Sequence, residues 1–139
     1  MTLSIRNQLP GTVTEVTPGE VMATVKVHLS GGQNLTAAIT KEAAEDLGLQ
    51  TGTAVRALVK STEISLATSR VKGLSIRNQL PGTVTAITTG PAMAAVKVAV
   101  DGTQLTAVIT TDAAADLSLA AGTPIVALIK STEVSLATD

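Results

Sequence analysis

The chain has 139 residues, with ten Lys or Arg against eleven Asp or Glu and a formal charge of -1, so no global field steers it toward polyanions and any anion site must be built locally. It contains no cysteine, which excludes thiolate metal ligands, disulfides and thiol redox chemistry. It also contains no Phe, Tyr or Trp, which excludes the stacking of nucleic-acid bases on aromatic side chains.

The opening stretch, Leu3 through Thr14, returns unchanged as Leu74 through Thr85, so the chain is expected to consist of two copies of one unit, residues 1–69 and 70–139. A unit of that size buries only roughly 60% of its unfolded surface. Its aliphatic core is therefore expected to be shared across the copies, across chains or both, and an oligomer is expected. Within the opening stretch Ser4, Arg6 and Gln8 alternate with Leu3, Ile5 and Leu9, which predicts a strand that sends a hydroxyl and a guanidinium outward together. Thr17-Pro18-Gly19-Glu20 predicts a turn. Val21, Ala23, Val25, Val27 and Leu29 then mark a second strand with a period of two, and Ser30 to Asn34 a hairpin into a third strand carrying Leu35, Ala37 and Ile39.

Thr40 is placed to cap a short helix over Lys41 to Leu47, with Gly48 as its C-terminal stop. Ser118 takes the place of that glycine in the second copy, so the end there is expected to fray or close differently. A turn at Gln50 to Thr53 leads to a fourth strand over Ala54 to Val59, and Lys60-Ser61-Thr62-Glu63 separates it from a fifth carrying Ile64, Leu66 and Thr68. The second copy repeats this order with a shorter hairpin at Asp101-Gly102-Thr103. The fold class expected is all-β with one short helix per repeat, arranged as two tandem OB-like Greek-key barrels. The linker Ser69 to Gly73 is short, so the units are expected to pack against each other. No apolar run approaches the roughly 18 residues that span a bilayer and the start lacks a signal pattern, so a cytoplasmic chain without a membrane partner is expected.

The two copies serve as a comparison within one sequence. Only three pairs of basic residues coincide: Arg6 with Arg77, Lys26 with Lys97, and Lys60 with Lys130. Two of these pairs stand near matched serines, Ser4 with Ser75 and Ser61 with Ser131. Such hydroxyls and cations, brought to one point, would donate charge-assisted hydrogen bonds to a small oxyanion, each worth roughly 1.5–3 kcal/mol. Spacing alone leaves a second reading open, in which Arg6 and Lys60 rim the barrel and pair with Glu63 or Glu42. Thr40 and Thr110 open helices whose free N–H groups can hold an anion, or they act as plain caps. His28 becomes Ala99 in the second copy and reads as an exposed strand residue. Glu63 and Glu133 have no repeated nucleophile with a histidine partner beside them, and Pro10-Gly11-Thr12-Val13 is no phosphate-binding loop, so neither an enzyme nor a nucleotide binder is expected. With no aromatic residue and a slightly acidic balance, nucleic acid is not expected as a partner.

The segments SIRNQLPGTV and KSTE(I/V)SLAT, together with the Thr-x-(Glu/Asp)-Ala-Ala helix start, resemble the molbindin family and its Mop domain. The resemblance implies a tandem-domain cytoplasmic binder of molybdate and tungstate that assembles as a homotrimer and uses no further cofactor. It implies that the oxyanion is held between domains by Ser4, Arg6, Lys60 and Ser61 and by Ser75, Arg77, Lys130 and Ser131. Thr40, Thr110 and backbone N–H groups near Gly19 and Gly90 would complete the shells, though Pro91 in the second copy has no N–H to give. Molybdate is a closed tetrahedral oxide, so it calls for donors and positive charge and not for direct ligation of the metal by side chains. Selection over sulfate would come from cavity size. The function implied is reversible storage and buffering of the oxyanion; the alternative is a molybdate-responsive scaffold or regulatory module that binds another protein.

Overall fold

The computed structural model describes residues 2–139. The first copy folds as β1 (Asn7–Pro18), β2 (Met22–Leu29), β3 (Asn34–Thr40), α1 (Lys41–Asp46), β4 (Ala54–Val59) and β5 (Ile64–Ala67). The second folds as β6 (Asn78–Thr89), β7 (Met93–Val100), β8 (Thr103–Thr110), α2 (Thr111–Asp116), β9 (Pro124–Ile129) and β10 (Ser135–Ala137). Short 3₁₀ turns at Ser61–Glu63 and Ser131–Glu133 stand before β5 and β10. The chain is thus all-β with one short helix per repeat, as its periodicity implies. No helix among the described residues is long and apolar enough to cross a membrane.

The two five-stranded sheets run β10-β4-β1-β2-β3 and β5-β9-β6-β7-β8. Each sheet therefore takes its last strand from the other copy. Ile64 to Ala67 pair antiparallel with Ile129 to Val126, and Ser135 to Ala137 with Leu58 to Arg56. The inward residues Val13, Val25, Val27, Leu35 and Val59 of one copy and Val84, Val96, Val98, Leu105 and Ile129 of the other join one hydrophobic cluster. The shared core that the small size demanded is what forms.

β1 pairs with β4 over Asn7 to Thr12 and with β2 over Gly11 to Pro18, so its two partners overlap only at Gly11 and Thr12. In β1 the pairing with β2 slips between Val13 and Glu15, leaving Thr14 as the extra residue of a bulge, and its hydroxyl donates to the Lys26 carbonyl at 3.2 Å. Thr85 does the same in β6 toward Lys97 at 3.3 Å. Before each bulge stands a glycine, Gly11 or Gly82, over which the next strand crosses closely.

Two buried asparagines tie the copies together. Asn7 Nδ2 donates to the Thr106 carbonyl at 2.9 Å while Thr106 N–H donates to Asn7 Oδ1 at 2.8 Å. Asn78 clamps Thr36 in the same way, with both bonds at 2.8 Å. A side-chain amide that mimics a backbone pair can be buried without an orphaned polar group, and these two are only 2% and 4% exposed. The hairpins also abut, since a Cβ on Gly31 would run into the Asp101 carbonyl oxygen.

Three expectations need adjusting. The first strand begins at Asn7 and not at Leu3, because Val59 is the last residue of β4 able to pair with it; Leu3 is 42% exposed. Val21 lies outside β2 and is 73% exposed, so the alternation that includes it starts one step early. Finally, the second helix closes like the first. Leu117 and Ser118 donate to Ala113 and Ala115, each at 3.0 Å, as Leu47 and Gly48 do to Ala43 and Glu45. Ser118 achieves this at φ 52, against φ 63 for Gly48, in the left-handed region that costs a residue with a Cβ about 1 kcal/mol. Ser118→Gly is therefore expected to stabilise the protein by about 1 kcal/mol and raise its melting temperature by roughly 2–4 °C, read by thermal denaturation. At the shorter hairpin Asp101 and Gly102 have φ 45 and 80, the two positive values a tight two-residue hairpin needs.

Candidate functional site

The register of each sheet decides which repeated residues meet. Asn78 pairs with Ile129, so the residues just before β6 and just after β9 share one end of the sheet. There Ser75, Ile76, Lys130, Ser131 and Thr132 line a pocket of about 250 Å³. The Ser131–Glu133 turn is closed by Glu133 N–H donating to the Lys130 carbonyl at 2.9 Å. That turn is also the crossover, where the chain leaves β9 for the other sheet. A pocket of that size has room for a small tetrahedral anion and water around it. Ser75 and Lys130 are exposed and Ser131 is half-buried, so the donors face solvent on one side.

In the first copy Asn7 pairs with Val59, which brings Ser4 to the end where Lys60 and Ser61 begin the matching turn, closed by Glu63 N–H to the Lys60 carbonyl at 2.9 Å. Here too the serine after the lysine is half-buried while Ser4 and Lys60 are exposed.

The arginines lie elsewhere. Arg77 lines a separate groove of about 390 Å³ with Arg70, Gln33, Asn34 and Gln79. Arg6 is exposed. The third repeated basic pair is used on the outer face of the β-hairpins: Lys26 meets Glu15 at 3.3 Å with both side chains more than half exposed, and Lys97 donates to the Thr106 hydroxyl at 3.4 Å. An exposed pair of that kind contributes little.

Thr40 and Thr110 are helix caps whose hydroxyl oxygens accept from the N–H of Ala43 and Ala113 at 3.1 Å. Thr40 stands four residues along β3 from Thr36, the residue clamped beside the Ser131 turn, which is about 13 Å at strand rise. The N–H groups of Gly19 and Gly90 donate within their own turns to Met22 and Met93, at 2.7 and 2.8 Å. In the second copy, then, Ser75 and the Lys130-Ser131 pair share one pocket, while Arg77 lines another groove and Thr110 caps its own helix.

Sequence reasoning passed over Asn78, which reaches the pocket from behind. Its Nδ2 lies 3.4 Å from Ser131 Oγ. The available signal was its identity with Asn7 inside the repeated Ser-Ile-Arg-Asn-Gln stretch; its polarity argued the other way, toward the surface.

Comparison with known proteins bears on the whole chain. The model of the TOBE domain matches residues 3–66 and again 74–136. The molybdenum-pterin-binding protein MopA of Rhodobacter capsulatus is 42% identical over 139 residues, which is 99% of this chain and 52% of that protein, so the chain spans about half the length of this relative. Molybdenum-pterin-binding protein 3 of Clostridium pasteurianum is 41% identical over 66 residues, 48% of this chain and 97% of that protein. Among solved structures, the cytoplasmic molybdate-binding protein ModG, crystallised with molybdate bound, superposes with a TM-score of 0.96 at 40% identity and covers 100% of both chains. The tandem of Mop-type units expected from the repeated motifs is borne out, and the chain belongs to the TOBE domain family, with two copies of that domain in succession.

Proposed function

We propose that this protein binds molybdate, and tungstate with it, reversibly and without turnover, as an intracellular store and buffer of the oxyanion. The observation that carries the proposal is the pocket in which Ser75, Lys130 and Ser131 meet, with no carboxylate on its wall among the described residues. A lysine ammonium offers three donors and no acceptor, and each hydroxyl adds a donor. The likeness to the molybdate-bound ModG structure over the full chain supports the choice of ligand.

The full set of residues assigned to the two sites is Ser4, Arg6, Thr40, Lys60 and Ser61 with Ser75, Arg77, Thr110, Lys130 and Ser131. A single copy holds Arg77 and Thr110 apart from the pocket, so their part requires neighbouring copies, and we assign the working form as a homotrimer. The exposed apolar residues Val21, Met22 and Met93 beside the helix starts supply surface for that association.

Equilibrium dialysis tests the proposal. Molybdate is expected to be retained in strong preference to sulfate, because a hydrogen-bonding pocket sized for longer metal–oxygen bonds leaves the smaller dianion short of its donors. Lys130→Ala is expected to weaken molybdate binding in the second unit by roughly tenfold or more, the loss of one charge-assisted bond. Equal retention of the two anions, or an unchanged Lys130→Ala variant, overturns the reading. Native mass spectrometry of the loaded protein reads the copy number and the number of anions together.

A further inference from the structure

We infer that Asn78 is a positioning residue for the second unit's pocket: it fixes Ser131 as a donor to the anion, so that the pocket takes a tetrahedral oxyanion carrying no proton and turns away one that carries a proton. This rests on the oxyanion reading above and states what that site selects.

The orientation of the Asn78 amide follows from its partners. Oδ1 accepts the Thr36 N–H at 2.8 Å and Nδ2 gives one proton to the Thr36 carbonyl at 2.8 Å, and a flipped amide would set donor against donor and acceptor against acceptor. Nδ2 also donates to Ser131 Oγ, a long bond at 3.4 Å. An amide nitrogen only donates, so Ser131 accepts on that side and its own proton is left to turn to the other, where the pocket lies. The amide cannot swing away, because it is 4% exposed and held at both atoms by a strand of the other sheet.

The pocket then presents the Ser131 hydroxyl proton, the Lys130 ammonium and the Ser75 hydroxyl, and no carboxylate lines it. A fully deprotonated oxyanion such as molybdate offers only acceptors and fits. Inorganic phosphate near neutral pH keeps at least one proton, which needs an acceptor. Neither the Lys130 ammonium nor Ser131, with its proton turned to the pocket, can accept it, so phosphate must turn that proton to Ser75, Thr132 or the solvent side, and fewer of its orientations keep every charge-assisted bond. The discrimination therefore comes from the fixed direction of one hydroxyl, set by a residue that does not touch the ligand.

The test uses the whole chain carrying Lys60→Ala and Ser61→Ala, which silences the corresponding pocket of the first unit. Molybdate binding, alone and in competition with inorganic phosphate, is compared for this parent, for Ser131→Ala, for Asn78→Ala and for the two combined. Ser131→Ala and Asn78→Ala are each expected to weaken molybdate roughly tenfold and to narrow its advantage over phosphate. The combination is expected to be no weaker than Ser131→Ala alone, since the asparagine acts through the serine. Asn7→Ala, which breaks the matching clamp on Thr106 without a bond to Ser131, is expected to keep the parent's affinity and ratio. Losses that multiply in the combined variant, or an equal loss from Asn7→Ala, overturn the assignment of Asn78. Should Asn78→Ala fail to fold, Ser131→Ala still decides: an unchanged molybdate-to-phosphate ratio overturns the inference. Absence of molybdate binding in the unaltered protein overturns the oxyanion reading itself and is thereby distinguished from failure of the positioning role.

Discussion

Residues 1–69 expressed alone are expected to form a strand-exchanged dimer and to have no stable monomer. In the whole chain β5 begins at Ile64, directly after the Ser61–Glu63 turn, and that turn carries the chain away from β4 of its own copy to the other sheet. Its partner is β9, and the edge of β4 is covered instead by β10. A lone copy left unexchanged would expose that edge of unpaired backbone groups. It would also expose Ile64, which is 2% exposed in the whole chain, and burying such a side chain stabilises by about 1.5–3 kcal/mol. A second copy of residues 1–69 offers Ala57-Leu58-Val59 where the whole chain offers Ala127-Leu128-Ile129, so the exchange can be repeated between identical chains. Thr36 of each copy could likewise meet the other's Asn7, as Thr106 does here. Sedimentation equilibrium is expected to show a dimer whose melting temperature rises with concentration. A monomer as stable as the parent would overturn the account.

Gly11→Ala is expected to destabilise the protein by about 3 kcal/mol, and Gly82→Ala by a similar amount. A Cβ on Gly11 would sit 2.7 Å from the His28 carbonyl oxygen and 2.7 Å from a methyl of Val27. At Gly82 it would meet the Ala99 carbonyl oxygen and lie 2.9 Å from a methyl of Val100. At each site one of the obstacles is a backbone carbonyl of the neighbouring strand, which no change of rotamer removes. A small domain has only about 5–15 kcal/mol of net stability, so the melting temperature should fall by roughly 10 °C. Gly52→Ala makes the useful contrast. Its φ of +96 strains any other residue, but nothing lies within 4 Å of the added Cβ, so the cost should be about 1 kcal/mol. Comparable losses at Gly11 and Gly52 would mean that backbone freedom, and not the close strand crossing, explains the repeated Pro-Gly pair.

Much of this arrangement could be read from residues. Ala23, Val25, Val27 and Leu29 alternate because one face of β2 covers the core, and all four are buried. Thr40 and Gly48 bound α1 because a helix end needs an acceptor at its start and a left-handed residue at its stop. The exchange of β5 and β10 could not be read. Local pattern reports that a strand is half-buried, and the two edges on offer, at β4 and β9, have nearly the same sequence. The meeting of Ser75 with Lys130 and Ser131 was legible as shared repetition, but their common pocket depends on the register of Asn78 with Ile129, which is a property of pairing between distant segments. Asn78 was missed because a buried amide satisfied by backbone has the same one-letter symbol as an exposed one.

The crossed tails also settle how the molecule would bear a pull on its two extremities. β1 and β10 flank β4 and both run antiparallel to it, so they point the same way, and the leading end of β1 lies near Val59 while the trailing end of β10 lies near Arg56. Tension between the termini then slides these strands along β4 and loads their hydrogen bonds side by side. Mechanical resistance is built into the way each half lends its last strand to the other.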